Sequence, residues 1–203
     1  MATIVDSIEE LKRIYDGGVS EAAIKKVANR LTPKYEEWIS NSYFCVLSTV
    51  GEEGVDNSPR GDNGPVVKVV DESTLLMPDW RGNNRLDSLL NIIRDKRASL
   101  MFFVTGSNTV IRVNGGAFVS ADDDLINQFE VKGKKPKSVI VFAVKEVYSQ
   151  CAKAMIRSDL WKRDCSGLNL PTVGDFMVEQ TGGEFDGKTY DGEWRDRAEK
   201  TMW

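Results

Sequence analysis

Short β-rich runs follow one another through the middle of the chain, and few helical stretches separate them. Residues 43–50 form the first run, and residues 51–54 after it have the length of a hairpin connection. The later runs cover residues 66–70, 74–77, 100–104, 110–113, 117–120 and 138–144. Many short strands with few helices between them predict an antiparallel β-barrel with flanking helices rather than a parallel α/β sheet.

Helical patterns flank and interrupt this predicted sheet. Three short helices are expected before the first strand, with Ser7 and Ser20 capping the first two and Pro33 opening the third. The second helix would carry one apolar face from Ile24 to Leu31. Further helices are predicted over residues 84–96, 122–129 and 151–161.

The chain therefore divides into three predicted regions. A helical segment over residues 1–42 is expected to pack on a barrel over residues 43–165, and residues 166–203 form a C-terminal extension. The acidic and basic residues of that extension, together with Trp194 and Trp203, are expected to pack on a partner subunit or to be disordered.

The chain contains no histidine, and this absence limits its chemistry. Serine–histidine and cysteine–histidine nucleophilic catalysis are excluded, as are histidine-ligated zinc and haem. Redox chemistry must therefore come largely from a bound cofactor, or from carboxylates, lysines and tyrosines. A net charge of −4 argues against a broad nucleic-acid surface, although a local basic cluster can still hold one phosphorylated ligand.

The compartment follows from three weak signals. Residues 1–10 have neither the basic flank nor the apolar core of a signal peptide, and the apolar runs are too short to cross a bilayer. The cysteines are odd in number and are not spaced as a metal or redox pair. We expect a cytoplasmic protein that binds neither membrane nor nucleic acid.

The first candidate site for an anion is the stretch of residues 57–62, just before a predicted strand. One interpretation is an ordinary turn, because Asn, Ser, Pro, Gly and Asp are all turn-forming residues. The functional interpretation depends on Arg60, because a guanidinium group makes two parallel charge-assisted hydrogen bonds to a phosphate.

The second candidate site is stronger, because residues 75–88 pass from a strand through a loop into a helix. Asn84 is expected to cap that helix with Asp87 as its capping partner. Arg81 and Arg85 then lie beside a helix start, whose free N–H groups attract anions. The alternative is that both arginines are solvated surface charges.

The third candidate site is the predicted helix over residues 151–161. Lys153, Arg157 and Trp161 are spaced by four, so one helical face would present two cations and an indole. That face can lie over a flavin or its phosphate, or it can belong to an amphipathic surface helix with Trp161 packed inward. The basic run at residues 132–137 is expected to be a solvated loop.

The order and spacing of several segments resemble the pyridoxamine 5′-phosphate oxidase-like FMN-binding family, in its FMN-binding branch. The segments are residues 44–50, 58–61, 77–85, 87–88, 111–115, 151–154, 156–158 and 160–161. The resemblance implies a split β-barrel that forms a homodimer, with FMN at the subunit interface. Members often carry a histidine where this chain has Gln150, so any chemistry of that histidine is lost here.

The resemblance also implies which residues hold FMN. Arg60, Asn84 and Arg85 would hold the phosphate, and Met77, Pro78 and Asp79 would border the isoalloxazine ring. The other implied contacts are Ser58, Pro59, Gly61, Arg81, Asn83, Ser88, Arg112, Lys153, Arg157 and Trp161. Of these, Arg112 is either a contact or a structural charge, and the last three can belong to either subunit.

The function implied by this family is that of an FMN-dependent oxidoreductase. It would transfer a hydride or electrons between a nicotinamide-type donor and oxygen or a small organic acceptor. The alternative is a non-catalytic protein that stores or senses FMN. The extension after Gly167 lacks a match to the phosphate-binding tail of the true oxidases, so a role in vitamin biosynthesis is not expected.

Overall fold

Seven antiparallel strands form one sheet in the computed structural model, which describes residues 3–52 and 54–203. The strands are β1 Phe44–Gly51, β2 Gly54–Gly61, β3 Lys68–Asp71, β4 Thr74–Asp79, β5 Arg97–Phe103, β6 Val110–Ser120 and β7 Ser138–Gln150. Their order across the sheet is β2-β1-β5-β6-β7-β4-β3. The prediction of an antiparallel sheet with flanking helices is confirmed. The sheet is open, because within the described residues its edge strands β2 and β3 do not pair with each other.

Nine α-helices flank this sheet within the described residues. They are α1 Ile8–Ile14, α2 Glu21–Lys25, α3 Pro33–Ile39, α4 Asp87–Arg94, α5 Asp123–Ile126, α6 Lys153–Ser158, α7 Val173–Gln180, α8 Gly187–Gly192 and α9 Trp194–Thr201. None of the described helices has both the length and the apolar character that crossing a membrane requires.

The three predicted N-terminal helices are present, but the second is shorter than expected. Ser7 and Ser20 accept hydrogen bonds from the backbone N–H groups of Glu10 and Ala23, as predicted for caps. The apolar repeat after Ile24 is not one helix, because the chain leaves α2 at Lys25. Ala28 instead exchanges two backbone hydrogen bonds with Val147, of 2.9 and 2.8 Å, at the end of β7.

The core lies on one face of the sheet and follows the two-residue period of its strands. Cys45, Leu47 and Thr49 are buried along β1, and Ala98, Leu100 and Phe102 are buried along the neighbouring β5. Because β1 pairs with β2, the residues of β2 that oppose this buried set point to the same face. This register places Arg60 opposite Cys45 and Ser58 opposite Leu47.

Two details of the strands differ from the prediction. Residues 57–61 are part of β2, not a turn before a strand, and Pro59 is tolerated there because β2 lies at the edge of the sheet. The predicted break at residues 114–116 is a β-bulge within the continuous strand β6, where the register against β7 shifts. At the bulge, a Cβ on Gly115 would collide with the carbonyl oxygen of Ala143.

Helix α4 buries only part of its apolar surface. Ser88 and Ile92 are buried, and Leu89 packs against the core. Three apolar residues at or near this helix, Leu86, Leu90 and Ile93, are exposed by 49%, 39% and 68%. The helix therefore carries an uncovered apolar stripe on its outer side.

Candidate functional site

A cavity of about 1150 Å³ opens beside the start of α4. Its wall is formed by β2, the end of β4, the following loop and the first turn of α4. The predicted site residues on this wall are Ser58, Pro59, Arg60, Gly61, Met77, Pro78, Asp79, Arg81, Asn83, Asn84, Arg85 and Ser88. The structure therefore brings the first two candidate segments together at one cavity.

An ion pair joins the two strands that carry these segments. Nη1 of Arg60 on β2 donates a hydrogen bond of 2.6 Å to Oδ1 of Asp79 at the end of β4. The two side chains are only 19% and 17% exposed, so solvent screens the pair weakly. Nε of Arg60 is buried and has no hydrogen-bond partner among the described residues. Arg60 thus fixes the wall and retains one unsatisfied donor.

The start of α4 has an unusual backbone, and the predicted Asn84 cap is wrong. The residue before the helix is Leu86, and among the described residues no side chain caps this end. Both Asn84 and Leu86 have left-handed backbone conformations, with φ of 61° and 62°. Such conformations are costly for a leucine and concentrate at functional sites. The uncapped first turn leaves backbone N–H donors available at the cavity wall.

Polar side chains around this helix start are already ordered by the protein. Oδ1 of Asn83 accepts a hydrogen bond of 3.1 Å from the backbone N–H of Arg85, and Nε of Arg85 lies 3.0 Å from Oδ2 of Asp87. The buried hydroxyl of Ser88 donates a hydrogen bond of 2.6 Å to Oδ2 of Asp56 on β2. The first two contacts order the loop, and the third holds the start of α4 against β2.

The cavity wall carries as many acidic as basic side chains, but more of the acidic ones already have a partner. Each of the four acidic residues on the wall already has a partner. Asp56 accepts a hydrogen bond from Ser88, and Asp62 accepts one from Trp80. Asp79 pairs with Arg60, and Asp87 pairs with Arg85. Among the basic residues, Arg81 and Lys137 have no ion-pair partner in the part of the chain that the structure describes. An anion entering the cavity therefore meets unpaired cations and occupied carboxylates.

Several wall residues were not predicted from the sequence. Lys137 lies at the end of the basic run that was expected to be a solvated loop. Trp80 lies within the second candidate segment, and its Nε1 donates a hydrogen bond of 2.8 Å to Oδ2 of Asp62. Met202 and Trp203 reach the wall from the far end of the same chain, where packing on a partner or disorder was expected. No local pattern places residues so distant in sequence beside this cavity.

The remaining predicted contacts lie away from this cavity. The guanidinium carbon of Arg112 on β6 is 5.4 Å from the centre of the Tyr148 ring. Lys153 and Arg157 are on α6, which ends at Ser158, so Trp161 does not continue their helical face. Nε1 of Trp161 instead donates a hydrogen bond of 2.8 Å to the carbonyl oxygen of Ser107. Any contact of these four residues with a ligand stays a prediction.

Comparison with known proteins gives one match to a family and several to solved structures. The family model for pyridoxamine 5′-phosphate oxidase matches residues 31–151, more than half of the chain. No curated protein matches the chain.

The similar solved structures include three bacterial proteins. HupZ from Group A Streptococcus is 15% identical with a TM-score of 0.49, covering 59% of this chain and 93% of its own. An FMN-binding protein from Syntrophomonas wolfei is 16% identical with a TM-score of 0.44, covering 71% and 97%. General Stress Protein 26 from Bacillus anthracis is 17% identical with a TM-score of 0.41, covering 55% and 86%.

Proposed function

The chain belongs to the pyridoxamine 5′-phosphate oxidase family, and from this membership we propose that it binds FMN in the cavity between β2, β4 and α4. The observation that carries the proposal is the uncapped start of α4 with Arg81 and Arg85 beside it. A helix start with free N–H groups and adjacent arginines is a strong site for a phosphate. The proposed fold is a split barrel, to which the open seven-stranded sheet corresponds.

The residues present fit a flavin phosphate at this position. The buried Nε of Arg60 lacks a partner among the described residues, and the left-handed backbone at Asn84 and Leu86 shapes the loop around the helix start. Arg81 and Lys137 supply positive charge that no carboxylate of the described chain neutralises. An anionic group would give the buried Nε of Arg60 the partner that it lacks, and a buried donor is costly to leave unpaired.

The other wall of the cavity suits a planar ring. Met77 and Pro78 give it a buried apolar surface, and Trp80 adds an indole whose polar edge is already bonded to Asp62. Apolar and aromatic walls with a few fixed polar groups are typical of cofactor sites. This side of the cavity is where we place the isoalloxazine ring.

The size of the cavity favours an enzyme over a storage or sensor protein. A volume of about 1150 Å³ is above the roughly 300–1,000 Å³ of typical ligand pockets, so a second small molecule has room beside the flavin. When bound, the flavin supplies hydride and electron transfer, and the protein binds and orients it. We therefore propose an FMN-dependent oxidoreductase that uses a nicotinamide-type donor and passes electrons to oxygen or a small organic acceptor.

The purified protein should be yellow, and heating should release a flavin that co-migrates with FMN rather than with riboflavin or FAD. A colourless protein that takes up no added FMN would contradict the proposal. Steady-state oxidation of NADH or NADPH by the FMN-loaded protein separates the two functions. Turnover supports the oxidoreductase, and FMN binding without turnover with either donor supports the storage or sensor protein.

We further propose that two chains associate through the outer side of α4. Leu86, Leu90 and Ile93 form an exposed apolar stripe there, next to the cavity wall that Leu86 itself lines. An uncovered apolar stripe of this kind marks a contact surface. In such a dimer, Lys153, Arg157 or Trp161 of a partner would have a route to this cavity.

If two chains associate in this way, light scattering should give the protein a native mass of twice 22.7 kDa. Replacing Leu90 and Ile93 together by glutamate should shift the protein to a single-chain mass, because burying two carboxylates in an apolar contact is strongly unfavourable. Leu11→Glu on α1 is the matched control, since Leu11 is also a surface leucine, 48% exposed, on a short helix. A dimer that survives the α4 changes would place the interface elsewhere.

A further inference from the structure

Trp203 lines one side of the cavity and makes an aromatic contact there. Trp203 is half-buried, and its ring meets the ring of Trp80 edge to face, with centres 5.2 Å apart and an interplanar angle of 87°. This is a favourable geometry for two aromatic rings. Trp80 is itself held by the hydrogen bond from its Nε1 to Asp62, so Trp203 rests on a fixed surface.

Helix α9, which ends two residues before Trp203, is tied to the helix before it by one arginine. The guanidinium of Arg197 on α9 lies 4.3 Å from the centre of the Tyr190 ring, and its Nη2 donates a hydrogen bond of 2.8 Å to the Tyr190 carbonyl oxygen. The hydroxyl of Thr201, two residues before Trp203, donates to the carbonyl oxygen of Arg197, one turn earlier in α9. These contacts fix the position of α9, and so of the residues that follow it, relative to α8.

Helices α7 and α8 are in turn joined by a close contact between two glycines. A Cβ on Gly174 would collide with the carbonyl oxygen of Gly187, and a Cβ on Gly187 would collide with the backbone of Gly174. Asp191 accepts hydrogen bonds from the Gly174 N–H and the Thr172 hydroxyl, which fixes the start of α7 against α8. The three C-terminal helices therefore form one connected unit, residues 172–203, which we call the strap.

The strap is built to open more easily than the sheet. Its only buried residues within the helices are Gly174 and Gly187, and α9 buries none of the described side chains. Segments with few buried apolar groups open at a low free-energy cost relative to the core. The contact of Trp203 with Trp80 thus joins an easily displaced unit to a rigid cavity wall.

We propose that the strap is a lid that retains the flavin, and that Trp203 is its latch. This inference rests on the proposed binding of FMN in the cavity. With Trp203 seated on Trp80, the cavity loses an exit on that side, and Trp203 of the same chain holds a bound ring in place. Release of the flavin then requires the strap to lift.

Removal of the latch should speed flavin release. In Trp203→Ala, the dissociation rate of FMN should rise about tenfold, the upper end of what one aromatic contact contributes. Trp203→Phe should restore most of the slow release because it keeps an aromatic ring. Trp194→Ala is the matched control, since Trp194 is the first residue of α9, is 58% exposed and lies outside the cavity wall. This variant should release FMN at the wild-type rate.

A second variant loosens the strap without removing an indole. Gly174→Ala forces α7 and α8 apart, so it should speed FMN release in the same direction as Trp203→Ala. A faster release in this variant is diagnostic, because replacing glycine by alanine inside a helix ordinarily stabilises the helix. Wild-type release rates in both Trp203→Ala and Gly174→Ala would overturn the lid.

The outcomes separate the lid from flavin binding itself. Wild-type protein that binds no FMN contradicts the proposed function before any variant is compared. The lid is then judged in ligand-free protein by the coupled circular-dichroism signal of the Trp80–Trp203 pair. That signal should vanish in Trp203→Ala, weaken in Gly174→Ala and persist in Trp194→Ala. If this circular-dichroism signal is the same in wild-type protein, Trp203→Ala and Gly174→Ala, the proposed role of Trp203 is wrong whether or not the protein binds a flavin.

Discussion

Replacing Arg81 and Arg85 together by alanine should weaken FMN binding by about a hundredfold. Each charge-assisted hydrogen bond contributes about 1.5–3 kcal/mol, and the exposed position of both side chains favours the lower value for each. Arg85→Ala alone should cost at least about tenfold by the same reasoning. Fluorescence titration of the apoprotein with FMN measures both effects.

Riboflavin provides the internal control for that titration, because it has the ring of FMN but no phosphate. The double variant should bind riboflavin with nearly wild-type affinity. Arg94→Ala is the matched protein control, since Arg94 is an exposed arginine in the last turn of the same helix and is not part of the cavity wall. Equal losses for FMN and riboflavin would show that the arginines do not act on the phosphate.

Arg60→Met should destabilise the folded protein by about 2 kcal/mol. The change leaves the mostly buried carboxylate of Asp79 without its partner. Removing one member of a fully buried ion pair costs about 3–5 kcal/mol, and the partial exposure of Asp79 lowers that cost. The midpoint of urea unfolding should fall with an unchanged slope, because the surface exposed on unfolding stays the same.

A double-mutant cycle tests whether this loss belongs to the pair. Adding Asp79→Asn to Arg60→Met should cost less than the sum of the two single changes, because no stranded charge remains. The exposed pair of Arg30 and Glu72, with side chains 61% and 58% exposed, is the control, and its cycle should show little coupling. Additive costs at Arg60 and Asp79 would mean that the pair does not form in solution.

Local sequence patterns were sufficient for most of the fold. The strand runs of β1, β4, β5 and β7 and the caps of α1 and α2 follow from the alternation of apolar residues and from capping chemistry, both of which act over a few residues. The errors came from tertiary contacts. Backbone hydrogen bonds with Val147 keep Ala28 from continuing the helix that its sequence pattern predicts. The bulge at Gly115 lets β6 continue through residues that resemble a turn.

The candidate site was predictable only where it is contiguous in sequence. The stretch from β4 into α4 carries its arginines and its helix start together, so its position could be predicted, although Leu86 rather than Asn84 precedes the helix. The ion pair of Arg60 with Asp79, and the seating of Trp203 on Trp80, bring together residues far apart in sequence. Only the folded sheet and strap create such contacts.

A crystal structure of the protein grown with FMN tests the central claim most directly. We expect density for the phosphate at the first turn of α4, within hydrogen-bond distance of Arg81 or Arg85, and for the ring against Met77 and Pro78. Phosphate density bound away from that turn, or a cavity that stays empty at saturating FMN, would contradict it.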